Sequence, residues 1–153
     1  MEVYSKPPIE IRPLDREKGS ADYTAAFALA HMIFEQRTWG FDSEIRRAAF
    51  VFGAISEGLL AGYCVGRLPF LGSKLCKVPE ASVEWLGVRP DLQDSGRGIG
   101  SALLTKAERF MINAGTVEQV HITSNPDARG FYERHGYTSS FLNTFHKTLR
   151  APE

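Results

Sequence analysis

The chain has 153 residues, 43% hydrophobic and 24% charged, the size and make-up of one domain with a single substantial core. Its 18 Lys and Arg balance 18 Asp and Glu, so no global field draws in DNA, RNA or an anionic membrane. Cys64 and Cys76 form no close CxxC pair and the opening MEVYSKPPIEIRPL lacks the apolar run of a signal peptide, so a reducing, cytoplasmic setting is expected.

Ile9 to Pro13 reads as a first strand. Ser20 can cap a helix running to about Gln36, with Ala26, Leu29, Ala30 and Ile33 at helical spacing, and Trp39-Gly40 ends it. Asp42 or Ser43 is positioned to cap a short second helix through Ile45 and Ala48. Ala49 to Ser56 and Leu59 to Arg67 are β-rich runs joined by Glu57-Gly58, the signature of a tight antiparallel hairpin. Leu68 to Pro79 has no sustained period and reads as a loop. Ala81 to Val88 predicts a central strand, with Glu84, Leu86 and Val88 on one face and Val83 and Trp85 on the other.

Ile99, Ala102, Leu103, Ala107, Phe110, Met111 and Ala114 trace the apolar stripe of a long helix closed by Gly115, while Thr105, Glu108, Arg109 and Asn113 point to water. Val117 to Thr123 predicts a strand. Asn125-Pro126-Asp127 supplies a cap, a first-turn proline and an early acid for a helix ending at Gly136, and Phe141 to Leu149 a last strand. The mostly apolar stretches, such as Tyr23 to Phe34 and Ala48 to Ile55, are too short or too interrupted to cross a bilayer.

The segment Gly96-Arg97-Gly98-Ile99-Gly100-Ser101-Ala102 sets a turn poor in side chains directly onto the start of that long helix. Backbone N–H groups there can approach an anion closely, and the open helix start adds roughly half a positive charge. The GxxxxGK[ST] pattern of a P-loop is absent. A dinucleotide fingerprint fits poorly, because counting GxGxxG from Gly96 puts Ser101 in the last place and no acid ends a following strand. The glycines could also serve only a tight strand-to-helix connection.

Taken in order, Leu86-Gly87-Val88, Arg89-Pro90, the glycine turn and Asn125-x-x-Ala128-x-x-Phe131-Tyr132-Glu133-Arg134-x-Gly136-Tyr137 resemble the GNAT superfamily of acyl-CoA-dependent N-acyltransferases. The resemblance covers residues 49–149 well and the first third only in element order. It implies one α/β (α+β) domain over residues 1–153, with a mixed, mostly antiparallel central sheet and helices on both faces. It also implies acetyl-CoA as co-substrate, with Gly96, Arg97, Gly98, Ile99, Gly100 and Ser101 around the pyrophosphate, Leu86, Gly87 and Val88 along the pantetheine arm, and Asn125 and Tyr132 beside it. One departure stands out. The Gln or Arg usual three residues before the GxG pair is Ser95 here, with Gln93 in reach if Asp94-Ser95 is an insertion.

Transfer to a primary amine needs a base, since an amine of pKa about 10.4 is protonated at neutral pH, and an acid for a thiol of pKa about 8.5. The resemblance makes Tyr132 the acid, although from periodicity alone Phe131 and Tyr132 are core aromatics. Glu84 is the candidate base, because a carboxylate in a central strand is costly to bury without a use or a partner; a salt bridge explains it almost as well. His121 and His135 lack the companions of a metal site, and no metal is expected. Cys76 has no histidine beside it to make it a nucleophile, and Cys64 reads as a small buried residue. Glu35, Asp42 and Glu44 could attract a cationic acceptor while Lys74 and Lys77 oppose it, so charge does not select among small-molecule and peptide amines. Trp39 and Phe41 could stack on an acceptor or simply pack. The alternatives to an acetyltransferase are a catalytically silent acyl-CoA-binding module and an interaction scaffold without coenzyme. Relatives imply a possible homodimer.

Overall fold

The computed structural model describes residues 7–34, 40–68, 80–93, 96–114, 117–124, 128–141 and 144–149. The elements follow the order β1 (Ile9–Pro13), α1 (Ala21–Phe34), α2 (Phe41–Arg47), β2 (Phe50–Ser56), β3 (Leu59–Arg67), β4 (Glu80–Val88), a 3-10 turn (Pro90–Leu92), α3 (Ile99–Asn113), β5 (Gln119–Thr123), α4 (Arg129–Arg134), β6 (Thr138–Phe141) and β7 (Thr144–Thr148). One seven-stranded sheet runs β1-β2-β3-β4-β5-β7-β6 and is antiparallel except where β4 meets β5. The long connection holding α3 lies between those two parallel strands, as a parallel crossover requires.

Ser20 caps α1 as its position predicts, its hydroxyl accepting from the Tyr23 N–H at 3.1 Å. The Glu57-Gly58 turn carries positive φ at both residues, 52° and 78°, which matches the right-handed twist of the β2–β3 hairpin. β2 and β3 read as near-continuous apolar runs because helices cover both faces of the sheet. Phe50, Phe52 and Ala54 of β2 enter one buried cluster with Leu103, Leu104, Ala107 and Met111 of α3. Val51 of β2 and Tyr63 and Val65 of β3 enter the other, with Ala26, Leu29 and Ala30 of α1 and Phe41 and Ile45 of α2.

Four expectations need correction. First, α2 starts at Phe41 behind Gly40 with no side-chain cap, because Asp42 is taken by the Tyr23 hydroxyl at 2.9 Å and by Arg46 at 2.7 Å. Second, the final strand is a hairpin, with β6 pairing antiparallel to β7. As an edge strand whose Thr138 and Ser139 are exposed, β6 carries little apolar signal. Third, Glu108 does not simply face water. It accepts hydrogen bonds from the Tyr137 hydroxyl at 3.0 Å and the Lys147 ammonium at 3.1 and 3.2 Å, and Lys147 also reaches the His135 carbonyl at 2.8 Å. This knot ties α3 to β7 and to the end of α4. Fourth, the faces of β4 are not those of a regular strand. The register with β3 jumps between Val65↔Trp85 and Gly66↔Val83, so Glu84 is the extra residue of a β-bulge. Ala81 and Val83 join the α3 cluster, Ser82 and Glu84 share the opposite face through a 2.6 Å hydrogen bond, and Trp85 stays on that face with α1. Leu86 and Val88 are thereby returned to the α3 side.

Glu108→Ala strands the Tyr137 hydroxyl and leaves the Lys147 ammonium only the His135 carbonyl. It is expected to lower unfolding free energy by roughly 2–4 kcal/mol, read from urea denaturation midpoints at constant slope.

Candidate active site

β4 and β5 pair only from Glu80↔Gln119 to Val83↔Ile122, and the pairing stops where the bulge begins. From Glu84 to Val88, β4 keeps β3 on one side and has no paired strand on the other among the described residues. The sheet is split there; the main chain of Leu86 and Val88 turns toward the gap while Gly87 pairs with Tyr63 of β3, and the Val88 carbonyl accepts from Gln93.

The first turn of α3 closes one end of this split. Gly98 precedes the helix at φ 67°, and its carbonyl takes the Ala102 N–H at 2.9 Å, so the amides of Ile99, Gly100 and Ser101 are the open donors of the helix start. No side chain caps them, and a methyl built on Gly98 would meet nothing within 4 Å. A methyl on Gly100 would lie 3.3 Å from the Phe131 ring and 3.7 Å from Val88, so this glycine lets the helix start approach both α4 and the end of β4. The Ser101 hydroxyl and His135 Nε2 are 2.9 Å apart. Arg97 contributes differently from Gly98: its guanidinium turns back to the Pro7 carbonyl at 2.6 Å and the Ser56 hydroxyl at 2.8 Å, leaving its main chain at the turn. Gln93 donates to the Val88 carbonyl at 3.1 Å and so folds back on β4. Ser95 and Asn125 lie outside the described residues.

Tyr132 comes from α4, held by ring contacts to Tyr137, Phe145 and Phe131 and 5% exposed. Burial first, then the neighbouring Cys64, raises its pKa to about 12, against an opposing hydrogen bond with Ser124. Ser124 directly follows β5, and Cys64 pairs with Leu86 across β3–β4, so the phenol sits beside the split. The Cys64 thiol is pushed up to about 12 by complete burial and is inert at neutral pH. On the opposite face of the sheet, Glu84 is exposed and bonded to Ser82. Phe34 packs edge-on to Trp85 at 4.7 Å, and Phe41 is a core residue, ringed by Tyr23, Phe27 and Tyr63. Glu35, Trp39, Lys74, Cys76 and Lys77 lie outside the described residues, as does most of the Leu68 to Pro79 loop.

Sequence reasoning offered Glu44 only as one of three acids that could attract a cation and missed Tyr63 beside it. Glu44 Oε2 and the Tyr63 hydroxyl are buried without partners among the described residues. Burial, then the charge of Glu84, holds the Glu44 carboxyl above its usual range, with Arg67 pulling it down. Burial, then Glu44, pushes the Tyr63 phenol well up. A tyrosine inside an apolar strand and an acid on a seven-residue helix gave no local pattern that pairs them.

Residues 14–137 match the acetyltransferase (GNAT) family, and the chain belongs to it. No curated protein matches. Among solved structures, a GNAT family acetyltransferase from Brucella melitensis in complex with acetyl-CoA aligns with TM-score 0.67 at 16% identity, covering 94% of this chain and 89% of that one. An alanine N-acetyltransferase of a ribosomal protein from Escherichia coli aligns with TM-score 0.72 at 18% identity, covering 95% and 97%. An aminoglycoside acetyltransferase from an uncultured soil metagenomic sample, in complex with trehalose, aligns with TM-score 0.68 at 20% identity, covering 88% and 91%. At these identities the likeness is one of fold. No described helix is long and apolar enough to cross a membrane.

Because the folded protein holds the Tyr132 proton more tightly than the unfolded chain, the stability this group contributes is whole below pH 10 and declines as pH rises toward 12. Ultraviolet phenolate titration of wild type minus Tyr132→Phe is expected to show no ionisation from this residue through pH 10.

Proposed function

We propose that the protein is an N-acetyltransferase that passes an acetyl group from acetyl-CoA directly to a primary amine of a small molecule or peptide, both bound at once. The observation that carries this reading is the uncapped start of α3, opened by a left-handed glycine, standing against the end of a β4 edge that pairs with no strand among the described residues. That pairing suits a ligand with a diphosphate at one end and a hydrogen-bonding amide arm at the other. Family membership supports acetyl-CoA as that ligand, as does its presence in the Brucella neighbour.

In this mechanism the main chain of Gly96 through Ser101 receives the diphosphate, and the Leu86, Gly87 and Val88 backbone orients the arm. The helix start favours the anion by about 0.3–1 kcal/mol per charge at an exposed site, more where partly buried. Glu84 accepts a proton from the acceptor's ammonium, either directly or through water. As the amine nitrogen forms its bond to the acetyl carbon, the carbon–sulfur bond breaks, Tyr132 gives its proton to the departing sulfur, and the second proton shed by the nitrogen restores the phenol through water. A buried phenol with a raised pKa is protonated at neutral pH, as this role needs. Asn125 is assigned to the same arm on the family resemblance.

The reading is tested by free-thiol release across a panel of primary amines, alongside calorimetry with acetyl-CoA. Amine-dependent release with a saturable acetyl-CoA isotherm is expected; absence of acetyl-CoA binding overturns it. Tyr132→Phe is expected to lower kcat by about 10²-fold or more while the acetyl-CoA Kd changes little. Unchanged turnover would remove the proton-donor role, and a wild type that binds but releases no thiol would mark a non-catalytic acyl-CoA module.

A further inference from the structure

Four side-chain polar atoms are buried without partners among the described residues, and three of them, Glu44 Oε2, the Tyr63 hydroxyl and Arg67 Nε, belong to one neighbourhood on the α1/α2 face of the sheet. Tyr63 and Arg67 stand on β3 four residues apart, hence on one side of the strand. Glu44 projects from α2, one helical turn after Phe41, whose ring meets Tyr63 edge-on with centroids 6.4 Å apart. Glu84 is added from β4 by the bulge, which turns it onto this same face. Ile33 and Phe34 of α1 lie 2.8 and 3.4 Å from where a methyl on Gly87 would sit, with the edge of the Tyr63 ring at 3.5 Å. The neighbourhood therefore borders the segment of β4 beyond the bulge.

Native proteins rarely leave buried polar atoms unbonded, and such groups mark places completed by something else. Other acids near this face are already engaged: Asp42 is held by Tyr23 and Arg46. Of the two α2 acids only Glu44 leaves a buried oxygen, Oε2, without a partner among the described residues, and Tyr63, 0% exposed, leaves its hydroxyl unbonded. The formal charges of Glu44, Glu84 and Arg67 leave one negative charge in excess, which one ammonium neutralises. An ammonium also brings three donors and no acceptor, matching carboxylate and phenolic oxygens.

We propose that Glu44, with Tyr63 beside it, receives the ammonium of the acceptor, a primary amine carrying a single positive charge, and presents it to Glu84 next to the Leu86–Val88 edge. The proposal rests on the acetyl-transfer reading for its chemistry, while the ammonium pocket itself is a binding claim. Glu44 acts here by binding substrate. Phe34 and Trp85, packed on each other at this face, supply apolar surface for the amine's carbon chain.

Glu44→Gln keeps the shape and removes the charge, and because desolvation disfavours the ionised Glu44 carboxyl the melting temperature is expected to be equal or higher. With alkyl primary amines as acceptors, the variant is expected to raise KM by about tenfold or more, the loss of one hydrogen bond to a charged group, with acetyl-CoA Kd within about twofold of wild type. Glu44→Asp should recover part of the loss. Wild-type KM in Glu44→Gln overturns the proposal, as does a loss accompanied by equal falls in acetyl-CoA affinity and melting temperature, which marks a structural role. Calorimetry of the same amines against the protein with coenzyme A separates the two readings. Amine binding that is present in wild type and lost in Glu44→Gln upholds the pocket even if no thiol is released, whereas wild type that binds no amine overturns it.

Discussion

The structure turns on one extra residue in a central strand. The bulge at Glu84 lies immediately after the last residue of β4 that pairs with β5. With it, pairing with β5 stops at Val83↔Ile122, and Leu86 to Val88 keep β3 on one side with no paired strand on the other among the described residues. An unpaired interior edge is ordinarily a liability, since exposed backbone groups recruit other chains. Here it is flanked by the uncapped start of α3, and the proposed ligand, elongated with an anionic end, rests on those two features together.

The two faces of the sheet carry different duties. The α3/α4 face places the glycine turn and Tyr132, and it is kept in register by the knot of Glu108, Tyr137 and Lys147, which joins α3, the end of α4 and β7. The α1/α2 face holds Glu84, Glu44 and Tyr63, where polar atoms are left unbonded. In the proposed reaction, ring contacts to Tyr137 and Phe145 hold the Tyr132 phenol on one face while the unbonded atoms of the other receive a polar partner.

The order of elements up to β5 was legible because each carries local signals strong enough to survive packing: the Ser20 cap, the Glu57-Gly58 turn, and the stripe of Ile99, Leu103, Ala107 and Met111. The glycine turn was legible for the same reason, since only glycines suit a left-handed step before an open helix start. β6 was missed because an exposed edge strand has no buried face to impose alternation. The face assignment of Glu84 failed because a bulge is a property of two strands paired across space, and nothing in Ala81 to Val88 alone breaks the period of two.

By itself, then, the sequence determined the element types, the mixed class of sheet that the family resemblance implied, and an anion-favouring turn at residues 96–101, because these follow from propensities and contacts a few residues apart. The tertiary structure alone decided that the sheet opens at Glu84, that this acid shares a face with Glu44 and Tyr63, and that Arg97 turns its guanidinium away from the turn. Those outcomes depend on register and burial among segments tens of residues apart, where no local pattern records which polar groups will be left facing one another.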